Sequence, residues 1–229
     1  MKIAGYQPLT LLDYPGVLAS IVFTQGCFFR CAYCHNPELI PLHGIREITA
    51  REVLSELGKN RRVIEGVVIT GGEPSIHPDL PEFIRKIKEC GLLVKLDTNG
   101  MHPEMLRELA TERMVDYVAM DIKNRWEYYD RVTRVTNPEI VARCRASLAW
   151  LQSSDVSREF RTTVLPGVHS ADDFHAMAGY LQPGERWFIQ GIRYTKTLES
   201  LDDRSSEIDV RALVSDLKIE FPNLRIEMR

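Results

Sequence analysis

Three cysteines lie within eight residues, as Cys27-Phe28-Phe29-Arg30-Cys31-Ala32-Tyr33-Cys34. This C-x3-C-x2-C spacing delivers three thiolates from one short loop, the donor type and density that an iron–sulfur cluster needs. Three ligands for four irons leave one iron open to a substrate. A structural zinc site is the other reading, with His35 as nominal fourth ligand. Ligands on adjacent residues fall outside the usual zinc spacings, so the spacing favours the cluster, and both stay open at this point. Further along come Gly71-Gly72-Glu73-Pro74, Asp97-Thr98-Asn99-Gly100 and Asp121-Ile122-Lys123. Paired glycines permit positive φ and close backbone approach to a ligand. As a lone string the second motif is turn chemistry. Asp121 and Lys123 alternate as on a strand, so both can face one side, where a carboxylate and an ammonium should pair with each other or with a ligand.

These residues need a scaffold, and the hydrophobic pattern supplies one. Short β-branched or aromatic runs recur at Ala19–Thr24, Gly66–Thr70, Leu92–Leu96, Asp116–Met120, Phe160–Leu165 and Arg186–Gln190, with a last one at Leu224–Met228. Helical segments fill the gaps. Thr49-x-x-Glu52 and Asp79-x-x-Glu82 have capping-box spacing, and Gly91 stands where a helix should end. Asn137-Pro138 and Ser170 open two more helices, and Ile208–Leu217 carries a final apolar face. Strands alternating with helices predict parallel pairing through right-handed crossovers. About six such units fit an incomplete barrel or an open doubly wound sheet, preceded by a strand and a tight turn through Asp13-Tyr14-Pro15-Gly16. In such folds the working surface lies at the carboxyl ends of the strands. Every motif above lies at or just past the carboxyl end of a run, as do Leu165-Pro166-Gly167 and Gln190-Gly191. Polar or backbone-permissive residues therefore return repeatedly to one rim.

Composition narrows the class. The chain has 229 residues, 44% hydrophobic and 27% charged, which fits one globular domain over 1–229. Lysine and arginine number 29 against 32 acids, leaving no basic excess for a nucleic-acid backbone. No membrane-length apolar stretch or signal segment is evident, so a cytoplasmic protein is expected. Five cysteines, three of them clustered, argue for a metal site in a reducing compartment rather than a disulfide framework. Cys90, at a helix end, and Cys144, on a helical apolar face, read as ordinary packing residues. His43, His77, His102, His169 and His175 show no mutual ligand spacing, and Arg61-Arg62 and Arg143/Arg145 read as solvated helix charges.

The segment from Thr24-Gln25-Gly26-Cys27 through Cys34-His35-Asn36-Pro37 resembles the cluster loop of radical SAM enzymes. More narrowly it is similar to the activating enzymes of glycyl radical enzymes. Leu11-Leu12-Asp13-Tyr14-Pro15-Gly16 resembles the anaerobic ribonucleoside-triphosphate reductase activating proteins, and the three later motifs match in order and spacing. The resemblance implies an α/β fold, a partial (β/α)6 barrel with an N-terminal strand and turn extension. It implies a [4Fe-4S] cluster on Cys27, Cys31 and Cys34, with S-adenosylmethionine (SAM) on the open iron. Tyr33 and the His35 backbone would lie near the adenine, with Val164 and Leu165 as apolar wall. Gly71, Gly72 and Glu73 would receive the methionine amine, and Asp97, Asn99, Asp121, Lys123 and Arg161 would line the rest. Reductive cleavage would give a 5′-deoxyadenosyl radical that takes hydrogen from a glycine of a partner, here an anaerobic ribonucleotide reductase, with a flavodoxin- or ferredoxin-type electron donor. Phe28 departs from the pattern, since relatives often carry asparagine after the first cysteine. Two competitors remain: the same chemistry on a small molecule, as in deazapurine-forming relatives, and a zinc-stabilised interaction domain.

Overall fold

The computed structural model describes residues 1–44, 48–194, 196–199, 201 and 208–229. In chain order the strands are β1 (Ile3–Thr10), β2 (Ala19–Thr24), β3 (Gly66–Gly71), β4 (Leu93–Thr98), β5 (Tyr117–Asp121), β6 (Ser157–Thr163), β7 (Arg186–Gln190) and β8 (Arg225–Met228). The helices are α1 (Ala50–Asn60), α2 (Leu80–Glu89), α3 (Pro103–Thr111), α4 (Tyr129–Thr133), α5 (Pro138–Ser153), α6 (Ala171–Ala178) and α7 (Val210–Glu220). The chain forms two compact units. The first comprises Met1–Phe28, Glu38–Ala119 and Arg143–Ser157, and the second Phe29–Pro37, Met120–Ala142 and Arg158–Arg229.

In the first unit the strands follow the order β1-β2-β3-β4-β5, with the first three residues of β5 belonging here. β1 is antiparallel to β2, as the N-terminal extension predicts, while β2-β3 and β3-β4 are parallel. Tyr14 is buried with Ala19, Ile21, Val68 and Tyr117, its ring 5.9 Å from that of Tyr117. A Cβ at Gly66 would lie 3.1 Å from the Tyr14 ring, so the glycine makes room for it. Ala19, Gly66 and Tyr117 all begin their strands. The Asp13-Tyr14-Pro15-Gly16 turn thus packs at the amino ends of this unit's parallel strands, away from the ends that carry Gly71 and Asp97. Leu11 and Leu12 on the same turn are exposed.

Helix starts follow the sequence signals with one exception. Thr49 and Glu52 form the full reciprocal box at the head of α1, and Asn137 Oδ1 accepts from the Glu139 amide before α5. Ser170 and Asp173 form a further box before α6. Asp79 makes no cap bond: its backbone at φ −93°, ψ 8° is not extended, and its carboxylate meets the Met1 amino group instead. The α3 helix starts without a side-chain cap, relying on Pro103 in its first turn.

The second unit holds the order β5-β6-β7-β8, with parallel β6-β7 and β7-β8 ladders. Its core includes Phe160, Phe174 and Trp187, the last two stacked at 6.1 Å. Strand ends are where sequence and structure differ most. β4 runs on through Asp97 and Thr98, so the Asp97–Gly100 motif starts inside the strand. β6 stops at Thr163: the Val164 amide still donates to Gln190 O (2.9 Å), the last bond of the Thr163–Gln190 pair, and Val164 and Leu165 lie beyond the strand.

Candidate functional site

In the first unit the segment feeding Cys27 is held by its own backbone. Gly26 N donates to Leu39 O (2.7 Å) and Cys27 N to Ile40 O (3.0 Å). Gln25 Nε2 donates to Glu38 O (2.9 Å) and Pro41 O (2.7 Å), folding the chain back after the cysteine loop. The paired glycines at the end of β3 make a close approach, but to this segment. Gly71 has φ +115°, and its Cβ would stand 2.4 Å from Thr24 N; a Cβ at Gly72 would stand 2.1 Å from Gly26 O. Glu73 N then donates to Gly26 O (2.7 Å). On the side where a Cβ would stand, both glycines are packed against the chain that presents Cys27.

Glu73 is buried, and its carboxylate is a hub. Oε1 accepts from Ser75 N (3.1 Å), Ser75 Oγ (2.5 Å) and Thr98 Oγ1 (2.7 Å), and Oε2 from Asn99 N (2.7 Å). Burial raises its pKa, and these four bonds pull it back only in part. The hub ties the end of β3 to the end of β4 and fixes Asn99. Asn99 Oδ1 accepts from Met101 N (3.0 Å), which turns Nδ2 towards Cys27 Sγ (3.9 Å). Donors to sulfur of this kind tune iron–sulfur centres. Asp97 pairs with the buried Lys95 (2.5 Å).

In the second unit Cys31 is buried and Cys34 N donates to Cys31 O (2.9 Å). Phe29 packs edge-on against Tyr129 at 6.4 Å, and Arg30 N donates to Thr133 O (2.9 Å), which seats the loop on α4. Burial pushes the Cys31 thiol up to about 11, opposed chiefly by the Lys123 ammonium. Tyr33 is buried with no partner for its hydroxyl, its ring under Lys123 Nζ (5.5 Å to the centroid). Asp121 accepts from Lys123 Nζ (2.7 Å) and Arg161 Nε (2.9 Å). Burial works to raise its pKa, but the Arg161 and Lys123 cations win and hold it at about 2. The alternation of Asp121 and Lys123 therefore does place both on one face, paired, and Arg161 joins them.

Val164 and Leu165 are buried. His169 fastens them: Leu165 N donates to Nδ1 (2.8 Å), so Nε2 carries the proton and donates to Lys123 O (2.9 Å). His35 Nε2 lies 3.1 Å from Arg193 O, linking the cysteine loop to the segment after β7. Sequence reading passed over Lys95 and His169. Lys95 and Asp97 repeat the two-residue spacing of Asp121 and Lys123, a signal that was available. His169 had none, because its partners are backbone atoms distant in sequence.

The donor chemistry fits a cluster. None of the five cysteines is tied up in a disulfide, so the three thiols of the motif are not lost to one. Lys123 favours the thiolate at Cys31, and Asn99 offers Cys27 an amide donor. Among the described residues no three His, Cys, Asp or Glu side chains form a ready group for a single metal ion. A cluster needs none, since each thiolate meets a different iron.

Comparison with known proteins agrees. The Radical SAM superfamily matches residues 21–181. A protein of Methanocaldococcus jannaschii named as a glycyl-radical enzyme activating enzyme is 32% identical over 191 residues, covering 82% of this chain and 78% of that one. The pyruvate formate-lyase 1-activating enzyme of Escherichia coli K12 is 28% identical over 181 residues, 75% and 71% of the two chains. Among solved structures, Streptococcus suis SuiB bound to S-adenosylmethionine aligns with TM-score 0.70 at 13% identity over 90% of this chain and 48% of that one. QueE from Escherichia coli aligns with TM-score 0.60 at 20% identity over 100% and 93%. The chain belongs to the Radical SAM superfamily and, within it, to the family of glycyl-radical enzyme activating enzymes. Its fold is the α/β partial barrel of that superfamily, whose cofactors are a [4Fe-4S] cluster and SAM. Among the described residues no helix is long and apolar enough to cross a membrane.

Proposed function

We propose that Cys27, Cys31 and Cys34 hold the cluster, and that the chain installs a glycyl radical on an anaerobic ribonucleoside-triphosphate reductase. The observation that carries this is the preparation of the cysteines for ligation: Cys31 buried near Lys123, and Cys27 fixed by Ile40 O and faced by Asn99. The N-terminal Leu11–Gly16 segment supports the reductase as partner; the E. coli relative is named for pyruvate formate-lyase, which makes that enzyme the second candidate. The electron would come from a flavodoxin- or ferredoxin-type donor.

When bound, the cluster and SAM supply a one-electron cleavage that yields a 5′-deoxyadenosyl radical. The chain's own residues bind, orient and exclude water. Asn99 donates towards the Cys27 sulfur, and Glu73 acts through Asn99, as a strut rather than as a direct ligand contact. Tyr33, with Val164 and Leu165, gives the apolar wall, and the unpartnered Tyr33 hydroxyl has a donor left to offer. Asp121, Lys123 and Arg161 form a fixed, charge-compensated polar edge, and Asp97 supplies a carboxylate from β4. Gly71, Gly72 and the backbone of His35 complete the lining.

The test is electron paramagnetic resonance of anaerobically purified, dithionite-reduced protein with and without SAM, followed by co-incubation with each candidate partner. A reduced-cluster signal that changes on adding SAM, and a glycyl radical on the reductase, are expected. Alanine at Cys27, Cys31 or Cys34 should abolish the cluster signal, and alanine at Cys90 or Cys144 should leave it. Stoichiometric zinc with no sulfide would overturn the cofactor assignment. A radical on pyruvate formate-lyase alone, or turnover of a small molecule without any protein radical, would overturn the partner.

A further inference from the structure

Among the described residues of the first unit, Lys95 is the largest fully buried charged side chain, with 1% of it exposed. The parallel ladders place it in one register row with Ile21 and Val68. Those two belong to the apolar cluster of Tyr14, Ala19 and Tyr117. An ammonium stem thus occupies a place in an otherwise aliphatic row. Its Nζ reaches two residues along β4 to Asp97 Oδ1 (2.5 Å), and Asp97 lies nearer the surface, with 13% of its side chain exposed. A buried ion pair is a poor way to stabilise a fold, since desolvating both charges offsets their attraction, and an apolar side chain of like size would continue the row. The other two rim carboxylates are held differently. Glu73 takes neutral donors from its own and the next strand's loop, and Asp121 takes cations from the rim itself. Only Asp97 of these three is braced from below, by a cation sunk in the core.

We propose that Lys95 is a positioning residue for SAM binding: from beneath the rim it supplies the counter-charge of Asp97 and fixes that carboxylate to accept from the ligand's hydroxyl or ammonium donors. Lys95 acts only through Asp97 and does not touch the ligand. The inference rests on the reading above that Asp97 lines the SAM pocket.

The test compares the parent with Lys95→Met, which keeps length and volume, Asp97→Asn, and the double variant, all anaerobic and loaded with cluster. SAM affinity is read by titrating the reduced-cluster resonance, and KM and kcat for SAM cleavage are measured beside the melting temperature. Lys95→Met should weaken SAM binding at least tenfold, raise KM more than it lowers kcat, and leave the SAM-free resonance unchanged. The double variant should bind SAM no more weakly than Asp97→Asn alone and melt above Lys95→Met, because both members of the ion pair are removed together. Parent affinity in Lys95→Met would overturn the proposal, as would losses in the double variant that multiply. If Lys95→Met does not fold, a double variant that binds SAM like the parent overturns it equally. A parent that carries no cluster or shows no SAM response would instead sink the functional reading, and this inference with it.

Discussion

The two units solve the same problem, a carboxylate at a strand end, in opposite ways. At the end of β3, Glu73 is buried among neutral donors from Ser75, Thr98 and Asn99, and its pKa rises. At the end of β5, Asp121 sits between Lys123 and Arg161, and its pKa falls to about 2. Hydroxyl and amide donors have fixed directions, so the first arrangement sets geometry: it locks two loops and aims Asn99. Cations act with less direction and longer reach, so the second sets potential, and the same Lys123 lowers the cost of a thiolate at Cys31. One edge is built for shape and the other for charge.

The largest effect should come from the close-packed glycines that support the shape-setting edge. Gly72→Ala drives a methyl against the Gly26 carbonyl, backbone against backbone, with nothing flexible to yield. We expect a loss of more than about 3 kcal/mol, a melting temperature lower by roughly 6–12 °C. A melting curve within a degree or two of the parent would show that the β3 loop is free to move.

Next come the two carboxylates themselves. Glu73→Gln strands at least one buried donor and should cost about 2–3 kcal/mol. Asp121→Asn removes the carboxylate that Lys123 and Arg161 share at a partly exposed place, for about 1–2 kcal/mol after solvent screening. Urea unfolding in 0.05 M and 1 M sodium chloride (about a threefold change in screening length or more) separates the mechanisms. The Asp121 penalty should shrink in high salt and the Glu73 penalty should not. Equal salt dependence would erase the distinction between the edges.

The smallest effect concerns pH. Burial lowers the pKa of His169 below its ordinary 6.5, against the bond to Lys123 O. The folded state therefore prefers the neutral ring, while the unfolded chain takes up a proton near 6.5. Between those two values the unfolded state holds more protons, so stability is full above about pH 6.5 and is lost as pH falls below it. His35, His77 and His102 shift the same way and add to the slope. His169→Gln should flatten unfolding free energy between pH 7.5 and 5.5 by less than about 1 kcal/mol, the size of one modest pKa shift. An unchanged slope would place the sensitivity in the other three.

The cysteine spacing, the recurring strands and the order of the motifs were legible, because each is a local pattern. So were the Thr49 box and the pairing of Asp121 with Lys123, which need only neighbours in sequence. The bonds of Glu73 were not, since its partners at Thr98 and Asn99 lie 25 and 26 residues away. Nor does a sequence say what packs on the Cβ side of the glycines at the end of β3, which is the backbone of Thr24 and Gly26. Tyr14 marked the family by its motif, yet it packs at the strand ends away from the chemistry, among Ala19, Val68 and Tyr117.

The sequence by itself determined which groups are available: three thiolates in one loop, carboxylates and cations at strand ends, and the α/β alternation that brings strand ends to a common rim. It did so because periodicity and spacing are properties of neighbouring residues. Tertiary structure alone decided how each group is held. Glu73 became a strut, Lys95 a brace beneath Asp97, and His169 a tie between Lys123 and Leu165. Those assignments depend on which distant donors, cations and backbone atoms burial brings together, and burial is fixed only when the strands have found their register.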